Sequence, residues 1–502
     1  MAQPSLLLRK FGVLIDLGLA NGEPLPEDIR KAFADQMAYT HIEYLHGANK
    51  WDPVTGIQRN IQTTRVLLHK IVDGKITTCC GYIPRIMATA QELGYPLEVQ
   101  DLTPDDANSV GAYETDWENV HSRMQFRVRQ EECLQAVENS PGGIIKAPPA
   151  FGKSHLIAAI AMLYPRANIH IVIKRRDLVE RTVRALRGLL PQVGVVRGGE
   201  HKPNRVTVFT AGSLHHSEGD ADILICDEVH ELMSPKYSEA IARIYKFSRN
   251  FGLSATPEGR ADNADAKLEY MFGPIIFDMP WQEATELGLI VPIEARWVPI
   301  RMRRNPAQGR KDVPKKRWGI WRNEYRNAVI AHSVRQHGPE EQVLILVETI
   351  EHAVYLGKRL PEYELCYAEM EPSNMERYKR EGLLAEDYEP MTGEKRSALR
   401  ISFENHEVKK VIATDVWSTG VSFERLAVLV RADARGSEIM DTQAPGRVAR
   451  IHEDSGKEKG IVYDFDDHFD RGFKSKSRTR RKNYDKKGWE QLDMEAPEIL
   501  DA

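Results

Sequence analysis

From about residue 123 onward, short unbroken apolar runs alternate with stretches whose apolar positions recur every three to four residues. The runs are GIIKA (143–147), IHIVI (169–173), VTVFT (206–210) and ILICD (223–227). After residue 290 come VLILV (343–347), VIATD (411–415), VLVRA (428–432) and GIVYDF (460–465). Continuous runs of this length suit strands buried on both faces, and the helical periods between them suit crossovers packed on either side. The pattern predicts an α/β protein with two parallel-sheet domains in tandem, 123–290 and 291–470, joined near LGLIVPIEARWVPI.

Residues 1–122 predict a separate small α/β unit with its linker. VLLHKIV (66–72) and KITTCC (75–80) flank Asp73-Gly74, a dipeptide suited to the positive-φ positions of a tight hairpin. IPRIMATAQELG sets Ile83, Ile86, Met87, Ala90 and Leu93 on one helical face with Gly94 as a stop, and LEVQ (97–100) reads as a further strand. TPDDANSVGAYETDWEN (103–119) is polar and turn-rich and reads as a linker. Residues 471–502 read as a basic, then acidic tail.

Composition narrows the class. The chain has 502 residues, 42% apolar and 28% charged, enough for several cores. Its formal net charge is only -4, so binding of nucleic acid has to come from local basic patches. No segment approaches the roughly 20 apolar residues of a membrane span, and no basic region precedes the first apolar run. A cytoplasmic protein with no membrane partner is expected, in the host-cell cytoplasm if the source is viral. The five cysteines form no CxxC pair. Adjacent Cys79 and Cys80 could bind a metal or sense redox state; the plainer reading is small buried strand residues.

Chemistry concentrates at two strand ends. In GGIIKAPPAFGKSHLI the strand GIIK leads through Ala147, Pro148, Pro149, Ala150 and Phe151 to Gly152-Lys153-Ser154, where a helix begins. That is the place of a phosphate loop: backbone N–H groups from Ala150 to Ser154 would cradle phosphates, and Lys153 would reach the β/γ-phosphates. The Ser154 hydroxyl would bind Mg²⁺. The prolines stiffen the strand exit, where no N–H need face phosphate. The second signal is DILICDEVHEL (222–232), a buried strand delivering Asp227 and Glu228 at its carboxyl end. Asp227 would hold the metal with Ser154, and Glu228 would orient and deprotonate a water.

Asp-Glu-Val-His is also where a resemblance begins. Residues 123–465 resemble the DEAD/DEAH group of superfamily 2 helicases, which implies two RecA-like domains, a nucleic-acid-stimulated ATPase, and ATP with Mg²⁺. The resemblance adds His230 to the catalytic set. FRVRQ (126–130) is similar to the adenine-reading segment, implying that Gln130 bonds the base with Phe126 or Arg127 beside it. GLSATP (252–257) matches the Ser-Ala-Thr element, Ser254 and Thr256, that couples hydrolysis to domain motion. ATDVWSTGVSF (413–423) matches the element that touches nucleic acid and nucleotide, here Thr414, Thr419 and Gly420. QAPGRVAR (443–450) matches Gln-x-x-Gly-Arg-x-x-Arg, which marks Gln443, Arg447 and Arg450. An arginine supplied across a cleft can answer charge on the transferring γ-phosphoryl, and Arg447 and Arg450, three apart on a helix, would share a face. LEYMFGPIIFDMPWQEATELGLIVPIEARW (268–297) resembles the UvsW-like phage and XPB-like repair and branch-migration subgroup. The N-terminal unit weakly resembles a small domain carried by some phage and prokaryotic members, with Trp51 near HGANKWD, and residues 1–122 are accordingly expected to be a DNA-binding platform with its linker. The family's usual glycine and small residue are replaced here by Ala150 and Phe151. Lys174-Arg175-Arg176 replaces Pro-Thr.

Nucleic acid would meet strand-end loops at Lys174, Arg175, Arg176, Thr210, Thr414 and Thr419, through phosphates that carry no sequence information. Two basic stretches stand out. RMRRNPAQGRKDVPKKRWGIWR (301–322) has nine Lys/Arg against one Asp, with Trp318 and Trp321; FKSKSRTRRKNYDKKGW (473–489) has eight against one, with Tyr484 and Trp489. Such runs are solvated faces or tails, or they bind nucleic acid by phosphate contact plus stacking. Trp417 reads as core, with a strand-separating wedge as the alternative.

These features predict an ATP-dependent DNA helicase or translocase acting in repair, recombination or replication. The alternatives are a duplex translocase without strand separation, an RNA helicase, or a binding subunit switched by ATP. Expected partners are branched, duplex or single-stranded DNA, RNA in one alternative, and single-strand-binding or recombination proteins.

Overall fold

A computed structural model describes residues 4–44, 61–104, 109–149, 151–219, 221–246, 248–257, 263, 265–417, 423–452 and 456–498. Trp51, Ala150, Thr419 and Gly420 lie outside the described residues. The chain divides into two compact units: residues 1–147 with 151–279, and residues 280–502 with 148–150.

The first unit begins with a five-stranded sheet ordered His69–Val72, Lys75–Cys79, Leu14–Leu19, Leu6–Phe11, Leu97–Asp101. The Asp73-Gly74 hairpin is present, with φ of 49° and 74°. Leu6, Leu8, Ile15, Leu17 and Ile76 turn to helices Glu27–Gln36 and Ile83–Glu92, where Phe33, Ile86 and Ala90 close the core. Met87 and Leu93, expected on the buried face of the second helix, are exposed. VLLHKIV is two strands: Ile61–Leu67 pairs with Ala38–Tyr44, and the chain passes at buried Leu68 into His69–Val72.

An eight-stranded sheet follows, ordered Glu200–Lys202, Gly194–Arg197, Val206–Thr210, Ile169–Ile173, Ile223–Asp227, Arg249–Ser254, Gly142–Lys146, Ile275–Asp278. All neighbours are parallel except the first pair. Every residue of IHIVI and VTVFT is buried, as strands covered on both faces must be. Part of the expected linker belongs to this domain. Ser109 N donates to Asp222 Oδ1, and the Tyr113 hydroxyl donates to Asp222 O. Arg249 lies over the Tyr113 ring, and Trp117 Nε1 donates to Glu138. Its polar residues satisfy strand-end groups, so turn-rich composition did not mean free chain.

The second unit carries a parallel seven-stranded sheet ordered Glu364–Cys366, Lys410–Ala413, Val343–Leu346, Val428–Arg431, Gly460–Asp467, Ile293–Ile300, Glu490–Asp493. Much of the expected basic tail is built into it. Asp470 caps helix Arg471–Asp485 by accepting from Gly472 N and Phe473 N. Phe473, Ser477, Arg480 and Tyr484 recur on its inner face, and Arg480 is fully buried against Asp464 at 2.9 Å. Counting charges along the run hid this period, because one of its inward positions is itself an arginine.

All five cysteines are free, four of them buried and Cys80 partly so. Burial pushes the Cys79 thiol up to about 12, which fits a core residue and not a reactive thiolate. No described helix is long and apolar enough to cross a membrane.

Candidate nucleotide site

Three strands adjacent in the first unit's large sheet end side by side. Gly142–Lys146 leads into the phosphate loop, Arg249–Ser254 into the Ser-Ala-Thr element, and Ile223–Asp227 into the acidic pair. Their register aligns Ser254 with Lys146 and Leu253 with Asp227, so all three signals leave at the carboxyl edge. In open α/β sheets this edge receives ligands.

Gly152, at φ 89°, turns the chain into helix Lys153–Leu163. At this φ the backbone calls for glycine, and a Cβ there would stand 2.6 Å from Gln130 Nε2 and displace that amide. Gln130 is buried at the start of helix Gln130–Glu138. Its Oε1 accepts from Arg127 N, and its Nε2 donates to Phe151 O at 2.6 Å. The segment expected to read a base therefore touches the phosphate loop directly. Phe151 is buried against Phe277, ring centroids 5.4 Å apart, which accounts for a bulky side chain in a loop usually built of small ones. Phe126 is half-buried and Arg127 exposed at the rim. Ala147 and Pro148 are buried, and Pro149 is half-buried.

Lys153 Nζ stands 3.0 Å from Glu228 Oε1. Glu228 holds φ 46°, an unfavourable backbone for a non-glycine residue and of the kind found where a site needs a side chain re-aimed. Its N–H donates to Asp227 Oδ1. Burial, then the neighbouring Glu228, pushes the Asp227 carboxyl up to about 6, against the pull of Lys153. The Asp227 carboxylate, with half-buried Ser154 in the first turn beside Lys153, offers oxygen donors of the kind a divalent cation takes.

The pairs continue inward. His230, nearly fully buried, lies 3.6 Å from Glu228 Oε2, and its Nδ1 shares a 2.8 Å hydrogen bond with Ser254 Oγ. Ser254 Oγ also accepts from Thr256 N. Lys153, Glu228, His230, Ser254 and Thr256 thus form one chain of contacts from the phosphate loop to the Ser-Ala-Thr element. Sequence reasoning had the members but not the links, since the His230–Ser254 contact depends on which strands are neighbours.

In the second unit, Gln443 ends helix Glu438–Gln443, and Pro445–Arg447 is a single 3₁₀ turn. The expected helix shared by Arg447 and Arg450 is absent: Pro445 lacks an N–H, Gly446 follows, and the α-helix stops there. Arg447 is buried and donates to Trp417 O, while Arg450 is half-buried. Trp417 is core, packed on Phe403 and Phe423.

The expected phosphate-contacting loops divide. Lys174 and Arg176 are exposed and Arg175 half-buried at the start of helix Arg176–Arg187. Thr210 and Thr414 are buried. Thr210 Oγ1 donates to Ser213 Oγ, and Thr414 N donates to Cys366 O. Thr210 ends its strand, and Thr414 directly follows the end of strand Lys410–Ala413.

The family described as "Type III restriction enzyme, res subunit" matches residues 123–259, and "Helicase conserved C-terminal domain" matches residues 325–452. The chain carries both helicase-family domains, in the order and with the fold consistent with a superfamily 2 helicase. Solved structures similar to this helicase include S. cerevisiae Dbp5 bound to RNA and ADP BeF3, 15% identical, with 78% of this chain and 95% of that chain covered and a TM-score of 0.52. The ATP-dependent Type ISP restriction-modification enzyme LlaBIII bound to DNA is 14% identical, covering 83% of this chain and 36% of that one, TM-score 0.50. T4 UvsW is 15% identical over 98% of this chain and 99% of that one, TM-score 0.41. For Dbp5 and LlaBIII, at these identities, the likeness is one of fold. Comparison with curated proteins gave no match. For this helicase the two matched domains imply ATP as the nucleotide.

Proposed function

We propose that this helicase is an ATP-driven DNA motor that remodels branched or duplex DNA, with Lys153, Asp227, Glu228 and Arg447 at the centre of its chemistry. The observation that carries the reading is the chain of contacts from Lys153 through Glu228 and His230 to Ser254. A phosphate in the loop competes with Glu228 for the Lys153 ammonium. Glu228, so released, can take a proton from the attacking water, and its movement is felt by His230 and Ser254. Mg²⁺, held by Ser154 and Asp227, would offset charge on the phosphate oxygens. The second unit supplies Gln443, Arg447 and Arg450 as the groups that sense the γ-phosphoryl. Arg447 then has to exchange its bond to the Trp417 carbonyl for one to phosphate. DNA as substrate, in repair or recombination, is supported by the 268–297 sequence resemblance.

The test is phosphate release measured with single strands, duplexes, forks, four-way junctions and RNA duplexes in parallel. Branched or duplex DNA should stimulate most. Lys153→Ala should abolish turnover, and Glu228→Gln should lower it about 10²- to 10⁴-fold while ATP still binds. Stimulation by RNA duplexes alone would replace the substrate, and normal hydrolysis by Glu228→Gln would reject the base.

A further inference from the structure

The two basic stretches, far apart in sequence and outside the helicase motifs, come together in the second unit. Asp470 joins them. Its carboxylate takes Lys315 Nζ at 2.7 Å and Asn305 Nδ2 at 3.1 Å from the first stretch, and caps the helix that carries the second. Beneath, Phe473 packs with Ala307, Ile320 and Trp321, and the Lys315 ammonium lies 5.2 Å from the Phe473 ring centroid. A Cβ on Gly319 would strike Phe473 at 2.4 Å, so the two segments are closely fitted.

Part of the charge is spent internally: Lys316 pairs with Glu348, Arg317 and Arg322 with Glu351, and Arg481 with Asp493. Arg303, Arg304 and Lys311 of the first stretch, and Lys474, Arg478 and Lys482 of the second, meet no carboxylate among the described residues. Arg478 and Lys482 stand on the outer face of the helix. Lys476 sits on the flank toward the first stretch, where burial, and then Lys316, hold its ammonium below its ordinary value. In a chain of net charge -4, this concentration of unpaired cations on joined segments favours a polyanion.

The aromatics decide how such a partner is read. Trp321, Tyr484 and Trp489 are buried. Trp318 is exposed, but Arg310 and Arg322 already lie over its ring, at 5.3 and 5.6 Å from the centroid. No open ring is offered to a base, so stacking, expected from the interleaved aromatics, gives way to charge.

We infer that residues 301–322 and 471–486 form one phosphate-binding surface that holds the backbone of a nucleic acid without reading its bases. The inference rests on the motor reading and gives it an anchor outside the motif loops. The test uses the full chain with Lys311→Ala, Arg478→Ala and Lys482→Ala combined, all exposed positions that should leave folding and ATPase without nucleic acid unchanged. Binding to labelled duplex DNA is followed by anisotropy against salt, beside a strand of the same length carrying abasic sites. The slope of log K against log salt should shrink by about one for each contact removed, and the abasic strand should lose affinity in parallel. Wild-type protein that binds DNA while the variant keeps the full slope would overturn this surface and leave the motor reading standing. A smaller slope in the variant, with no stimulation of ATPase in the wild type, would keep the surface and reject the motor. Failure of the wild type to bind any nucleic acid would reject both.

Discussion

Ser254 shows how one hydroxyl can serve two neighbours. It is fully buried, meets His230 at 2.8 Å, and accepts the Thr256 N–H at 3.0 Å. Replacing it with alanine leaves both without that oxygen in a dry place, and an unsatisfied buried polar group costs about 1–3 kcal/mol. Ser254→Ala should therefore lower stability to denaturant by that order. Hydrolysis should survive, because Lys153 and Glu228 are untouched, while strand displacement per ATP consumed falls; an unchanged ratio of displacement to hydrolysis would deny Ser254 its coupling role. At this scale the sequence was most legible where chemistry demands a side chain. Lys153, Asp227 and Glu228 could be named from spacing alone. Gln130 could be named, but its bond to the Phe151 carbonyl could not, since it depends on how a preceding segment folds over the loop.

Among elements, the C-terminal helix Arg471–Asp485 changes meaning most between sequence and structure. A run of lysine and arginine reads as solvated chain, yet its buried stripe connects the sheet to the segment carrying Gln443 and Arg447. Asp441, in the helix just before them, accepts from Asn483 Nδ2 at 2.8 Å and from Arg431 Nη1 at 3.2 Å. Arg431 is also bound to Asp433, and Asp433 to Arg435, which pairs with Asp415. Removing one member of a buried ion pair strands its partner, at about 3–5 kcal/mol. Asp441→Ala should lower the midpoint of thermal unfolding accordingly, and Asn483→Ala should do so less, as a neutral hydrogen-bond donor. Equal midpoints for wild type and Asp441→Ala would mean that Arg431 is satisfied without it. Hydrophobic periodicity located the parallel strands well, because strands covered on both faces must be apolar throughout. It missed the helix because charges paired inside a core look the same in sequence as charges in water.

For the molecule as a whole, the N-terminal sheet and the ATP-binding sheet belong to one compact unit, and the way they meet is specific. Gly81 presses its backbone against helix Ala266–Phe272: an added Cβ would lie 2.0 Å from Glu269 O and 2.7 Å from Tyr270 O. Arg85 pairs with Glu269 beside it, and the Tyr82 hydroxyl donates to Ala266 O. Neighbouring carbonyls cannot yield as a flexible side chain can, so Gly81→Val should cost about 1–3 kcal/mol and open this junction to limited proteolysis. Wild-type resistance in Gly81→Val would show that the junction accommodates the added side chain and does not depend on this close approach. The order of three domains was readable from changes in pattern along the chain, while this junction was not, because a glycine whose role is closeness leaves no period to detect.

Strand Glu490–Asp493 is short, but it is the last to pair with Ile293–Ile300 and closes that side of the second sheet. A chain ended after the basic helix would leave the N–H and C=O groups of Glu294–Trp297 without partners along one side, and one ended after the final motif arginine would lose Gly460–Asp467 as well and bare both sides of Ile293–Ile300. Such a bare row is a template for another molecule's strand. Shortened forms should then self-associate into insoluble material even where the nucleotide site is whole, so a minimal motor cut by motif boundaries alone would look like a failed enzyme when the fault is an uncovered edge.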